Sequence, residues 1–496
     1  MNSPTAAAPS APLSHTEVLR IIFGVIVAMF LAALDQTIVV TAMPTIGRNL
    51  GSPEYLPWVV TAYLLSSTAV TPLYGKVSDI VGRRKTLLVA IVVFVVGSVA
   101  CALSPNLIVL ILARALQGLG GGGLISLSQT IIADIVSPKE RSRYQVYISG
   151  VYMVGSVSGP VLGGYFAEHW HWSLIFWLNV PLGLVALAMT NGLLKKLPRH
   201  ERPHKLDFLG AGLMASAAVA LMLALNWGGI HYPWGSGQVL GLIGASVLLW
   251  AAFVWRLNTA PEPFIPSEIL KNRVVAMGSI TALLIMGTYV GITAYLPIYM
   301  ELVFGLSASQ SGLCLLPFMS GTVVGAIIAG RFMYKSEHYK RPSYVGLIFS
   351  IVVLGFIALL KTHISLIAME FLIGGVSIGL GTIFPITTVA IQNSVSPHQM
   401  GTATGVMGFF RSLGGALIVA VFGAVLFSQL PDLAALENLS GEKLANLVAS
   451  GQMHIAFRPL FGLAALVMTV ALAAFHQMPE KALRSTVKVA DAIAME

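Results

Sequence analysis

The chain has 496 residues, of which 56% are hydrophobic and only 10% are charged, and its formal net charge is +9. Soluble domains carry about 25% charged residues, so this composition excludes an ordinary globular protein and indicates a polytopic helical membrane protein. The positive charge does not indicate nucleic-acid binding, because its placement follows membrane topology. The two cysteines, Cys101 and Cys314, lie far apart in apolar stretches and predict neither a disulfide framework nor a metal site.

Fourteen apolar stretches are long enough to cross a bilayer as helices. The polar, proline-containing segment before them is predicted to be a disordered tail. The predicted spans are 19–43, 56–76, 86–104, 107–133, 144–167, 173–193, 207–227, 237–256, 274–301, 309–332, 343–361, 364–391, 401–428 and 454–476.

Most of the 29 lysines and arginines fall in the segments on one side of these spans, including the basic run 195–205, KKLPRHERPHK. Loops rich in lysine and arginine stay in the cytoplasm. With an even number of spans, the asymmetry predicts that both termini are cytoplasmic. The basic run is expected to contact anionic lipid and to fix the topology.

Two opposite charges lie inside apolar spans. Asp35, in the stretch FLAALDQTIVV, lies nine residues before Pro44, where span 1 ends on the outside, and is therefore ~13 Å deep. Arg114, in ILARALQGLGGGG, lies eight residues after Asn106 and is ~12 Å deep. Charged side chains are costly in a membrane and mark functional sites. The two charges are nearly level, and Gln117 lies one turn from Arg114.

The loop between spans 2 and 3, GKVSDIVGRRK at 75–85, combines an acid with a basic cluster. Gly75 allows two helices to approach closely, and Asp79 can pair with the cluster Arg83-Arg84-Lys85. Such a pair could hold the cytoplasmic face closed and break when two bundles rock. Asp134, near Lys139 and Arg141 at the inner end of span 4, is assigned to the same gate.

Span 5 carries GSVSGPVLGG at 155–164. Glycines every four residues make a smooth helix face for close packing, and a proline within a helix removes a hydrogen bond and favours a kink. The residues of this motif are Gly155, Gly159, Pro160, Gly163 and Gly164.

Together these motifs resemble those of the major facilitator superfamily, and further segments resemble its fourteen-span drug:proton antiporters. The matching segments are 75–85, the ARALQG stretch of span 4, 155–164, LDQTIVVTAMP at 34–44, WSLIFWLNVPLG at 172–183, LPIYMELVFGLSASQSGLCLLP at 296–317 and GTATGVMGFFRSLGG at 401–415.

The resemblance implies an all-α major facilitator fold of fourteen transmembrane helices, with two six-helix bundles and two extra central helices. The implied organisation is a disordered cytoplasmic tail 1–18, an N-terminal bundle 19–195, a basic loop with the extra helices 196–258, a C-terminal bundle 259–478 and a cytoplasmic tail 479–496. It also implies proton-driven alternating access that exports amphipathic, often cationic compounds across the inner (plasma) membrane.

Spans 1 and 4 are neighbours in that fold, so an ion pair or a shared hydrogen-bond network between Asp35 and Arg114 is expected. An opposite charge favours an ionised carboxylate, whereas loss of water favours a protonated one. A site that alternates between wet and dry states would therefore take up and release a proton. The alternative is a static pair that locks the bundle.

Two further charged residues lie in later spans. Glu370, ~10 Å from the outer end of span 12, is a candidate second proton carrier or partner for cationic cargo, or it faces water at the rim. Arg411 in span 13 has three candidate partners, namely backbone carbonyls, a cargo anion and an unseen carboxylate. Cavity-lining candidates, in a mainly apolar site with a few polar points, are Gln36, Tyr63, Gln117, Tyr152, Tyr289, Phe384, Gln392, Met407, Phe410 and Arg411.

Other functions fit the sequence less well. Neither a zincin nor a Walker sequence is present, which argues against a metalloprotease and against ATP-driven transport, so no enzyme activity, metal or cofactor is expected. A non-transporting receptor would be expected to lose the membrane acids Asp35 and Asp79. Export of an endogenous lipid, siderophore or metabolite by the same mechanism stays open. The expected partners are protons, small substrates and the bilayer, without nucleic acid; an adaptor with an outer-membrane channel and a monomer are the alternatives for assembly.

Overall fold

A computed structural model describes residues 15–51, 55–193, 206–229, 231–362, 364–429 and 452–485. Within these residues, fourteen helices are long and apolar enough to cross a membrane. The main helices of these spans are α1 (His15–Leu50), α2 (Leu56–Val81), α3 (Arg83–Ala102), α4 (Leu107–Ile135), α5 (Pro138–His169), α6 (Asn179–Leu193), α7 (Phe208–Trp227), α8 (Gly237–Thr259), α9 (Arg273–Phe304), α10 (Leu315–Lys335), α11 (Arg341–Leu359), α12 (Leu366–Ser394), α13 (Met400–Gln429) and α14 (Gln452–Gln477). The sixth span, Leu174–Gly192, combines the short helix Leu174–Trp177 with α6.

The predicted all-α architecture with fourteen spans is confirmed, and the helices extend past several predicted ends. The helix α1 continues to Leu50 and α5 begins at Pro138, because polar residues beyond the apolar stretch still complete the helical hydrogen bonds. Because α1 begins at His15, it includes the last residues of the predicted tail 1–18. The rest of that tail and the basic run 195–205 lie outside the described residues.

The helices pack in two groups with a pair beside them. In the first group α1 packs on α5, α2 on α4, and α3 on α4 and α6. In the second group α10 packs on α12, α9 on α13, and α11 on α14. We call these the N-terminal and C-terminal bundles. The bundles meet where α2 contacts α13 and where α5 contacts α10, and α7, paired with α8, lies against both α2 and α13.

The end of the molecule where α2 ends and α13 begins carries the basic motif 75–85, and we call it the basic end. Residues 479–485, which form neither helix nor strand, lie at this end. The backbone N–H of Lys139 donates to the carbonyl of Arg484 at 3.2 Å, and the side-chain Nε of Arg484 donates to Oδ1 of Asn393 at 3.1 Å. This segment therefore contacts both bundles.

Candidate functional site

A buried ion pair lies inside the N-terminal bundle. Nη1 of Arg114 on α4 is 2.7 Å from Oδ2 of Asp35 on α1, and the two side chains are 1% and 0% exposed. The level depths of the two residues in their spans predicted this pair, and the structure contains it. Each of these buried charges depends on the other, because removing one partner of a buried ion pair leaves an uncompensated charge and strongly destabilises the protein.

The second carboxylate oxygen of Asp35 is held by amides. Nε2 of Gln117 and Nδ2 of Asn179 each donate to Oδ1 at 2.8 Å. The guanidinium also donates to Oε1 of Gln117 at 2.6 Å and to the carbonyl of Val59 at 3.1 Å. The carboxylate therefore accepts hydrogen bonds from three donors. We call Asp35, Arg114, Gln117 and Asn179 the Asp35 cluster.

The sequence did not predict a role for Asn179, and it predicted the wrong surroundings for Tyr63 and Gln117. Asn179 is the one amide in the stretch WSLIFWLNVPLG, and that polar residue at membrane depth was the available signal. Tyr63 and Gln117 were predicted to line a cargo cavity, but they are 1% and 0% exposed. The ring of Tyr63 lies 4.3 Å from the guanidinium carbon of Arg114, so Tyr63 forms a wall of the cluster. Gln36 is half-buried beside it.

At the basic end, the predicted gate joins the two bundles. Nη1 of Arg83 is 2.5 Å from Oδ1 of Asp79. The carboxylate of Asp79 also accepts hydrogen bonds from the backbone N–H groups of Gly401 at 2.9 Å and Thr402 at 2.7 Å. These are free N–H groups in the first turn of α13, which favour an anion. Asp79 therefore fastens α2 to α13.

We call the contacts of Asp79 with the first turn of α13 the latch. The backbones of α2 and α13 also lie close together at this point. A Cβ atom on Gly75 would lie 2.3 Å from the carbonyl oxygen of Gly401, so a larger residue would force α2 and α13 apart. Asp134, which was assigned to the same gate, pairs with Arg83 at 2.7 Å from Nε to Oδ2.

Arg84, predicted to share the contact of its cluster with Asp79, has a different partner. Its guanidinium donates to the side-chain oxygen of Asn191 at the end of α6, so it does not take part in the contact with Asp79. Successive residues of a helix point about 100° apart. For that reason Arg83 and its neighbour cannot both face α2.

A second contact closes the seam between α5 and the C-terminal bundle. Nη1 of Arg141 donates to Oε1 of Gln392 at 2.9 Å, and Nη2 donates to the carbonyl of Val136 at 3.0 Å. The guanidinium of Arg143 lies 3.9 Å from the ring centre of Tyr334. Gln392 was predicted to line the cargo cavity, but at 1% exposure it belongs to this seam.

The glycines of α5 face α1. A Cβ atom on Gly159 would lie 1.9 Å from Oγ1 of Thr37, and one on Gly163 would lie 2.2 Å from the carbonyl of Ile38. Gly155 makes the same close approach, with Ala33 at 3.0 Å, whereas nothing lies within 4 Å of a Cβ on Gly164. Gly164 is therefore not part of this packing face.

The proline of the same motif leaves the helix in one piece. Pro160 lies on the exposed side of α5, which continues from Pro138 to His169.

Four predicted cavity residues come together between the bundles. Nη2 of Arg411 on α13 donates to the carbonyl of Phe384 at 3.0 Å, and the guanidinium carbon lies 5.5 Å from the Phe384 ring centre. The ring of Tyr289 packs edge-on against Phe384 at 5.9 Å. Tyr152, on α5 of the other bundle, lies within electrostatic range of Arg411. All four are half-buried, and we call them the central cluster.

Three other predicted residues lie elsewhere. Met407 is 1% exposed in an apolar core, and Phe410 packs beside Phe409, which contacts Trp250 of α8 at 6.1 Å. They were predicted to line the cavity, but they serve helix packing. Glu370 is half-buried on α12, within hydrogen-bonding reach of the Cys314 thiol. It therefore lies in the bundle opposite to the Asp35 cluster.

The fold and the motifs agree with known proteins. A family model described as the Major Facilitator Superfamily matches residues 25–419. The chain belongs to this superfamily. The Major Facilitator fold also appears in the structure of the proton:xylose symporter XylE, which has a TM-score of 0.62 at 15% identity and covers 95% of this chain and 98% of that one.

Two relatives of this Major Facilitator chain come from Bacillus subtilis (strain 168). The multidrug transporter protein MdtP is 33% identical over 410 residues, covering 82% of this chain and 75% of the relative. Multidrug resistance protein 3 is 34% identical over 414 residues, covering 82% and 79%. The protein is therefore a multi-pass membrane transporter, and the prediction that it is not an enzyme is confirmed.

Proposed function

We propose that the chain is a proton-coupled antiporter that exports amphipathic drugs or toxic compounds across the inner (plasma) membrane by alternating access. The observation that carries the proposal is the fully buried carboxylate of Asp35, paired with Arg114 at 2.7 Å inside one bundle. Intramembrane acids of this kind are typical of proton relays. Relatives that are named multidrug transporters support the choice of cargo.

The placement of lysine and arginine supports a cytoplasmic location for both termini and for the basic end. In that orientation the latch of Asp79 and the contact of Arg141 with Gln392 close the cytoplasmic side. An arrangement open on the opposite side would expose the central cluster to the outside. Rocking of the bundles would break both contacts and expose the same cluster to the cytoplasm.

Proton uptake would act directly on the ion pair. A proton on Asp35 removes the charge that attracts Arg114, and its new O–H needs an acceptor, whereas the three atoms that now contact the carboxylate are donors. The guanidinium keeps the side-chain oxygen of Gln117 and the carbonyl of Val59 as partners, so it need not leave the bundle. The loss of one attraction at the contact of α1 with α4 would favour the other arrangement of the helices, and proton release would restore the pair.

The test is gradient-driven uptake by everted membrane vesicles, measured with a panel of cationic, neutral and anionic aromatic dyes. Asp35→Asn is expected to abolish uptake that depends on an imposed proton gradient, because the amide cannot carry the proton. The matched control is Asp207→Asn. Asp207 is a buried acid that also pairs with an arginine, Arg256 at 3.1 Å, but it belongs to the extra pair of helices.

The control is expected to keep most of the uptake. If Asp35→Asn still concentrated a dye at the parent rate and still moved protons with it, Asp35 would not be the carrier and this mechanism would be wrong.

A further inference from the structure

We propose that the central cluster recognises an anionic group on its cargo, with Arg411 as the binding residue, so that the transported compounds include aromatic carboxylates, sulfonates or zwitterions. The inference specifies the cargo of the proposed exporter and rests on that proposal for transport, though not for binding. The resemblance to drug antiporters implies cationic cargo, whereas the charges of the cluster point to the opposite sign.

The hydrogen-bond partners of Arg411 among the described residues are neutral. Its Nη2 donates to the carbonyl of Phe384 and to the hydroxyls of Thr387 at 3.3 Å and Thr388 at 2.9 Å. Nε is buried without a hydrogen-bond partner. Among the described residues no carboxylate forms an ion pair with this guanidinium, which carries five N–H donors and is always charged.

The acids of the neighbouring membrane region are already engaged. Asp35 pairs with Arg114, and Asp79 and Asp134 both pair with Arg83. Glu370 lies beside the Cys314 thiol. The charge left uncompensated in the central cluster is therefore positive, and a buried charge is favourable only when a partner reaches it.

A purely structural role explains Arg411 less well than it explains Arg458. Nε of Arg458 donates to the carbonyl of Ala358 at 2.7 Å, and Nη2 donates to that of Leu359 at 3.4 Å. These carbonyls lie in the last turn of α11, where they have no helical partner. Phe384 lies in the middle of α12, where carbonyls already accept a helical hydrogen bond. Arg411 therefore satisfies no otherwise unpaired carbonyl.

The surroundings of Arg411 fit an aromatic anion. The ring of Phe384 lies against the guanidinium, and Tyr289 packs against both Phe384 and Phe318, with ring centres 5.2 Å apart in the second pair. Apolar rings beside one charged donor are typical of small-molecule sites. The ring system of a cargo would pack on these faces, while its carboxylate or sulfonate accepts charge-assisted hydrogen bonds from Nη1 and Nε.

Equilibrium binding to the purified full-length protein in lipid nanodiscs tests the inference without any gradient. The probes are radiolabelled naphthalene-2-sulfonate, the neutral naphthalene-2-sulfonamide and the cation 2-naphthyl-trimethylammonium. The parent is expected to bind the sulfonate roughly tenfold or more tightly than either other probe, as charged hydrogen bonds allow. Arg411→Gln is expected to lose that preference and keep the sulfonamide affinity, which also reports that the variant is folded.

Arg411→Lys, which keeps the charge without the planar fork, is expected to retain part of the preference. Arg458→Gln is the matched control and is expected to bind all three probes as the parent does. The inference is overturned if the parent binds the ammonium probe as tightly as the sulfonate, or if Arg411→Gln keeps full sulfonate affinity. Arg411-dependent binding in a protein whose vesicle uptake ignored the proton gradient would instead reject the antiport mechanism alone.

Discussion

Arg114 of the N-terminal bundle and Arg411 of the C-terminal bundle, two arginines at membrane depth, are held differently. In the N-terminal bundle, Arg114 is bound by a carboxylate at 2.7 Å. In the C-terminal bundle, Arg411 and Arg458 are bound by backbone carbonyls at 3.0 Å and 2.7 Å. The first arrangement cancels charge, and the second leaves it in place.

Under the proposed mechanism, this difference separates two tasks. A neutralised pair such as Asp35 and Arg114 changes its net charge when a proton arrives, so it suits coupling. A cation with carbonyl partners keeps its charge throughout the cycle and can attract a cargo of opposite sign. The comparison predicts that variants of the two kinds of arginine will differ in stability as well as in transport.

The largest effect is expected for Arg114→Gln. The substitution leaves Asp35 buried and charged without its partner, and breaking a buried pair on one side costs about 3–5 kcal/mol of unfolding free energy. The double variant Asp35→Asn/Arg114→Gln removes both charges and is expected to recover most of that stability without recovering proton-driven uptake. Unfolding titrations in detergent measure the first quantity and everted vesicles the second.

Arg411→Gln provides the comparison, because it leaves no acid without a partner. The substitution is expected to lower the unfolding free energy by about 1 kcal/mol, which is typical of a lost hydrogen bond. Equal losses for the two single variants, or a double variant no more stable than Arg114→Gln, would remove the distinction between the bundles.

A smaller effect is expected at the basic end, from Arg83→Gln. Asp79 and Asp134 then face each other without their shared cation, so the latch between α2 and α13 should weaken by about 1.5–3 kcal/mol. Spin labels at Val81 and Glu337, both exposed and on opposite bundles, measure the expected widening of the basic end. The matched control is Arg84→Gln, whose residue contacts Asn191 within one bundle.

Unchanged label distances in Arg83→Gln would show that the latch does not hold this end closed. Widening of the same size in Arg84→Gln would show that the basic charge of the loop matters and that the particular contact does not.

How much of this was predictable depends on what fixes each feature. The number of spans follows from the length of the apolar stretches, and the level depths of Asp35 and Arg114 follow from the helix rise. The fold and the ion pair between these two residues could therefore be predicted. The direction of a side chain around its helix does not follow from depth. For that reason Arg84 and Phe410 were assigned to the wrong surroundings although their spans were right.

Contacts between bundles were the least predictable feature. Gln392 has the polarity and position of a cavity residue, yet it lies buried against Arg141 because the basic end is closed in this conformation. Which end is closed depends on the conformational state as well as on the sequence. Asn179 was missed for a different reason, since its partner Asp35 is 144 positions away along the chain and only the tertiary fold brings them together.

The smallest effect is expected for Thr388→Val, which removes one neutral partner of Arg411. The hydroxyl accepts from Nη2 at 2.9 Å, but the carbonyl of Phe384 accepts from the same nitrogen at 3.0 Å. Valine has nearly the shape of threonine, so unfolding titrations should show a loss of about 1 kcal/mol or less, and sulfonate affinity should stay within a few-fold of the parent. A loss as large as that of Arg114→Gln would mean that Arg411 depends on its hydroxyl partner as strongly as Arg114 depends on its carboxylate. Neutral binding would then fix the C-terminal cation as tightly as ion pairing fixes the N-terminal one.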